Sequence, residues 1–168
     1  MAWSKYLIVS FLAFLFVSCS ISYKLEGGSI NYALTQTIHI SDFVDRTSAY
    51  SPMSSMFNQA LRKRFVEQTR LREVNANADI EVEGEITGFD ATNLAVKQDA
   101  FASQTRLMVT VKVEYINNKE ASKDVSQSFS AFQEFSSTQS INDVQDELVK
   151  KIIDDLVDMI YNATVASW

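Results

Sequence analysis

Few side chains in this 168-residue chain are equipped to make or break bonds: one histidine, one cysteine and a row of alternating glutamates. His39 lies between Ile38 and Ile40, where strand alternation already accounts for it as an outward polar residue. Glu81, Glu83 and Glu85 could serve acid catalysis or hold calcium. The same alternation reads them as the solvated face of a strand, with Ile80, Val82 and Ile86 on the other side. No second histidine or cysteine is present to complete a zinc site of usual composition. No GxGxxG, P-loop or GxSxG occurs, and Gly84 and Gly88 sit inside a strand pattern, where glycine marks a bulge or close packing. These residues point to a protein that is not an enzyme and carries no metal or cofactor.

Binding chemistry is better represented. The stretch ALRKRFVEQTRLREV (60–74) holds Arg62, Lys63, Arg64, Arg70 and Arg72. Guanidinium forks form charge-assisted bidentate bonds with phosphates, so this cluster is a candidate phosphate or partner contact. Glu67 and Glu73 could equally make it an ordinary solvated face. Arg106 and Lys112 form a second candidate pair on a polar sheet face, with cross-strand pairing to Glu83 or Glu85 as the alternative. Cys19 carries a different chemistry. Lys5 precedes the short apolar run Tyr6–Val17, and Ser18-Cys19 follows it. The run is too short to span a bilayer comfortably and has the layout of a signal peptide. A small residue before Cys at this place matches a bacterial lipobox, although Phe16 stands where Leu is usual. The thiol would then be acylated, and two or more acyl chains hold a protein firmly in its membrane. A free thiol in an uncut leader is the alternative. Ser20 offers no Asp-type inner-membrane retention signal, so the expected place is the outer membrane, periplasmic side.

Three segments must position these groups: a leader (1–18), a lipidated cysteine with its tether (19–35), and one domain (36–168). Without the leader 14 basic residues face 21 acidic ones, a net charge of −7 that disfavours nucleic acid. Fully extended, the tether reaches about 50 Å at ~3.4 Å per residue. Strand alternation appears at 37–41, 79–89, 105–116 and 124–135. Helical spacing appears at 53–68, with Ser54 or Ser55 as cap, and at 141–165, with Asn142 as cap. Residues 42–55 read as loop. The order β-α-β-β-β-α implies an α+β two-layer sandwich, with two helices on one face of a four-stranded mixed sheet. The helix between the first two strands allows them to run parallel, and the other face of the sheet stays polar.

The lipoprotein leader, the short strand, MFNQALRKRFVEQTRLREVNANADIEVEGEITGF (56–89) and the long acidic terminal helix together resemble the lipopolysaccharide-assembly lipoprotein LptE family, in its Bacteroidota-type form. The resemblance implies a plug and assembly partner for the large outer-membrane β-barrel LptD, helping to pass lipopolysaccharide to the outer leaflet. It also implies basic contacts to lipopolysaccharide near one end of the domain, for which the seven cations above are candidates. The competing expectation is an accessory lipoprotein of another envelope secretion or appendage-assembly complex.

Overall fold

The computed structural model describes residues 30–94 and 103–165. Cys19, the leader and the first part of the tether lie outside the described residues. Six strands and two helices follow in the order β1 (Thr37–Ile40), β2 (Val44–Asp45), α1 (Met53–Gln68), β3 (Arg72–Glu73), β4 (Ile80–Asn93), β5 (Gln104–Asn117), β6 (Val125–Ser136) and α2 (Ile141–Thr164).

The strands form one mixed sheet in the order β3-β1-β4-β5-β6, with β2 also paired to β4. The α+β class holds, but the sheet has six strands rather than four. The two extra strands are two residues each, and backbone geometry alone defines them. β3 lies parallel to β1 and β2 parallel to β4. Neither is long enough to show an alternating pattern, and β2 falls inside the segment read as loop. β1 and β4 are parallel, as the intervening helix implies, and β4-β5-β6 form an antiparallel meander.

Alternation sets which face of the sheet is buried. Leu107, Val109, Val111, Val113 and Tyr115 of β5 all point into the core. β4 begins in the same way with Ile80, Val82 and Ile86 buried, and then carries a bulge between Ile86 and Gly88. The extra residue shifts the phase, so that Phe89, rather than an even-numbered residue, lies opposite inward-facing Val109. Gly84 has another role. A Cβ there would collide with the Lys112 carbonyl and lie 2.5 Å from the Phe43 ring. The missing side chain lets Phe43 pack against the sheet, 5.0 Å from the Phe57 ring of α1.

The two helices pack side by side, and a single apolar core joins them to the sheet. α1 buries Met53, Phe57, Leu61 and Phe65, and α2 buries a wider stripe from Leu148 to Ile160. Pro52 precedes α1 and Ser140 precedes α2, and neither end has a side-chain cap. The expected caps Ser54, Ser55 and Asn142 lie inside the helices.

The sheet is closed at one end by Asp79. Its carboxylate accepts the Gln36 and Thr37 amides (2.9 and 3.0 Å) and the Thr37 hydroxyl (2.9 Å), while the Asp79 amide donates back to Thr37 Oγ1 (2.9 Å). Lys119 adds an ion pair at 3.1 Å. The Gln36 amide bond, helped by Lys119 and Thr37, pulls the Asp79 carboxyl down to about 2 from its ordinary 3.8.

Two outcomes follow for stability. Gly84→Ala should destabilise the fold by about 1–3 kcal/mol through overpacking, read by denaturant melts; an unchanged midpoint contradicts the close contact. Asp79→Asn should lose most relative to wild type above pH 3.8, where the depressed carboxyl is fully charged, and the gap should close as pH falls through about 2. A gap that does not vary with pH contradicts the assigned network.

Candidate functional site

The seven basic candidates do not form one cluster. Arg62, Lys63, Arg64, Arg70 and Arg72 belong to the helical layer and the β3 edge, whereas Arg106 and Lys112 lie on the uncovered face of the sheet.

Arg62 is a clamp. It bonds Asp42 (2.9 Å), Glu73 (3.0 Å) and the Ile40 carbonyl (2.8 Å), tying α1 to the end of β1 and to β3. Arg64 pairs with Asp158 of α2 at 2.9 Å and lies 5.0 Å over the Tyr161 ring. Both therefore hold helices in place. Arg70 stacks over Tyr32 at 5.8 Å. Lys63, Arg70 and Arg72 are exposed, and none has an acidic partner among the described residues.

On the open face Arg106 lies opposite Glu134 of β6 and pairs with it at 2.7 Å, with the guanidinium 4.0 Å over the Phe132 ring. Its partner is not Glu83 or Glu85, which pair with the far end of β5; on β4 its neighbour is Thr92. Lys112 does lie opposite Glu85, but its ion pair, at 3.1 Å, is with Glu114 on its own strand, and the Glu114 bond raises its pKa. Phe132 and Glu134, which hold Arg106, share the outward parity of β6 opposite Phe129, Ala131 and Phe135, so alternation could have found them.

The glutamate row is outward, as alternation requires. Glu85 pairs with Arg46 at 2.8 Å, Glu81 accepts from Asn118 at 3.0 Å, and Glu83 lies directly opposite Glu114. Glu83, Glu85 and Glu114 line a shallow, open concavity with Ser41, Asp42 and Lys112. His39 Nδ1 lies 3.0 Å from the Val74 carbonyl, to which it donates, and Nε2 lies 3.4 Å from Ser41 Oγ. Among the described residues no three His, Cys, Asp or Glu side chains gather as a metal site, and no helix is long and apolar enough to cross a membrane.

The fold thus defines a class, the two-layer α+β sandwich whose sheet keeps one polar face uncovered. Comparison narrows the class. The profile of the lipopolysaccharide-assembly family LptE matches residues 35–164, nearly the whole described domain, and the chain belongs to that family. The family is one of lipopolysaccharide-assembly lipoproteins rather than enzymes. Rare lipoprotein B from Shewanella oneidensis shares the fold, with a TM-score of 0.52 at 11% identity over 74% of this chain and 92% of that one. Hypothetical protein CT253 from Chlamydia trachomatis is similar at a TM-score of 0.49, with 12% identity over 77% of this chain and 98% of that one. No curated protein matches the sequence.

The geometry separates structural from available cations. Arg62→Ala should lower stability by about 1–2 kcal/mol through three lost bonds, whereas Lys63→Ala should stay within about 0.5 kcal/mol. Thermal melts of the two variants check this, and equal effects contradict the assignment.

Proposed function

We propose that this chain is the lipid-anchored outer-membrane component of lipopolysaccharide export, facing the periplasm and seated as plug and assembly partner in the lumen of the export β-barrel LptD. The family match over residues 35–164 carries this reading, because it spans the domain rather than a fragment of it. Three features support it. Cys19 stands at the junction of leader and mature chain, where acylation would hold the domain beside an outer-membrane target. The uncovered sheet face is mainly serine, threonine and glutamate, which suits the water-lined interior of a large barrel. Lys63, Arg70 and Arg72, which have no acidic partner among the described residues, are open to an incoming phosphate, while Arg106 and Lys112 offer partner contacts on the open face.

Purified from its own membrane in gentle detergent, the protein should travel with a large β-barrel and with lipopolysaccharide; recovery as a lone monomer would count against the plug. Cys19→Ala should leave the protein soluble or as an uncut precursor. Mass spectrometry finding an unmodified Cys19 in the mature protein would overturn the anchor.

A further inference from the structure

The described chain starts at Ile30, which is buried against the core. Behind it a tight turn forms, with the Leu34 and Thr35 amides both donating to the Asn31 carbonyl at 2.9 Å. Thr35 is buried, and Gln36 and Thr37 are held by Asp79. The N-terminal segment is therefore fastened to the domain at a fixed place, the end where α1 and α2 finish and β1, β3 and β4 begin. Ten residues, 20–29, separate this place from Cys19. However they are arranged, they reach no more than about 37 Å at ~3.4 Å per step.

That end has a composition unlike the rest of the surface. Tyr32 is 37% exposed, Leu34 54% and Val66, in the last turn of α1, 47%. They are half of the exposed large hydrophobic side chains among the described residues. Arg70 lies over Tyr32, and Arg72, at the start of β3, pairs by its backbone with Thr37. Among the described residues neither arginine has an acidic partner, whereas Asp79 and Glu120 at the same end are matched by Lys119 and Lys123. Glu67, exposed, is the one acidic residue of α1, and Glu73 beside Arg72 is paired with Arg62. Elsewhere the chain is strongly acidic, and α2 alone carries Asp143, Asp146, Glu147, Asp154, Asp155 and Asp158. An anionic surface would repel those faces and admit this one.

We propose that this end of the domain, Tyr32, Leu34 and Val66 with Arg70 and Arg72, docks on the anionic phospholipid headgroups of the leaflet that holds the Cys19 acyl chains. The inference rests on the lipidated Cys19 and goes beyond the plug reading, since it assigns a membrane-facing end. An aromatic ring, aliphatic side chains and arginines together are the composition that settles at headgroup depth. Each cation close to an anionic leaflet favours the docked state by about fivefold. With the tether limiting escape, docking fixes how the anchored domain stands on its membrane.

The test uses the full lipidated chain in vesicles of phosphatidylethanolamine with phosphatidylglycerol, and in vesicles of phosphatidylcholine alone. With Cys19 acylated, Leu34→Cys provides the one free thiol for a nitroxide label, and Ser130→Cys on the open sheet face is the control. The label at 34 should become shielded from an aqueous relaxation agent on the anionic vesicles only, and salt at about 0.5 M should reverse this. The label at 130 should stay wet throughout. Arg70→Gln with Arg72→Gln should lower the docked-to-undocked ratio about 25-fold, and lysine at both positions should restore it. A label at 34 as accessible as that at 130, or a ratio indifferent to the glutamines, overturns the docking alone. Protein that does not float with either vesicle removes the anchor, and the docking with it.

Discussion

Phe43 can reach the sheet only because position 84 has no side chain, and the helical layer depends on that contact. The ring occupies space that a Cβ on β4 would take, and it meets Phe57 of α1 at a tilt of 53°. Asn58, the next residue of α1, grips the Phe43 backbone from both sides: its Oδ1 accepts the Phe43 amide at 2.9 Å and its Nδ2 donates to the Phe43 carbonyl at 3.2 Å. One turn later Arg62 takes hold of Ile40, Asp42 and Glu73. α1 is thus fastened twice to the connection leaving β1. α2 then finds its place against α1 and the turn before it, through Tyr50 to Asp146 at 2.6 Å, Arg64 to Asp158, and the Phe65 and Tyr161 rings 5.7 Å apart.

The parts of this arrangement that sequence could reveal are those where a repeated side-chain period faces a single core. β5 is the clearest case, because its inward residues keep one parity from Leu107 to Tyr115. β4 was legible only up to its bulge. Beyond Ile86 the phase inverts, so a reading that follows one parity ends the strand near Phe89, although pairing continues to Asn93. The buried stripe of α2 is wider than one line of Leu148, Ile152, Leu156 and Ile160. Val149, Ile153 and Val157 are also buried because the helix must cover β6 and α1 together. β2 and β3 left no periodic trace, since bonds such as Arg46 N to Ile86 O and Arg72 N to Gln36 O involve backbone alone.

The candidate site was legible in residue type but not in partnership. A run with five cations announces itself in the sequence, yet which of them are already engaged depends on residues far away in the chain. Asp158 is 94 positions from Arg64, and Glu134 is 28 from Arg106. Burial gave no guide either, because Arg62 and Arg64 lie at the margin of the core and combine an apolar stem with a charged tip. Arg70 and Arg72 differ from them in position, not in chemistry. They follow the end of α1, where the chain turns into a two-residue strand whose own acidic residue, Glu73, is taken by Arg62.

This placement bears on how such a domain could occupy a barrel. β4 and β5 are each 14 residues long, so at about 3.3 Å per residue the hairpin extends roughly 46 Å from the end that holds Ile30. The hydrocarbon layer of a bilayer is about 30 Å thick. With the Ile30 end at the headgroups of the inner leaflet, the hairpin is long enough to traverse that layer within a lumen, and the uncovered sheet face travels its full length. That face must then be compatible with water and polar walls, which forbids a continuous apolar surface. On β5 and β6 its exposed large hydrophobic residues are Met108 and Phe132, which are adjacent, and Arg106 covers the Phe132 ring. The stacking and the Glu134 ion pair keep a charged group over the apolar spot, so the face remains wettable where it would otherwise invite self-association. For a lipid-anchored plug of the kind proposed, a short tether, a docked end and a polar face along the strands would be one geometric requirement: the anchor would fix where the domain starts, and the strand length how deep it reaches.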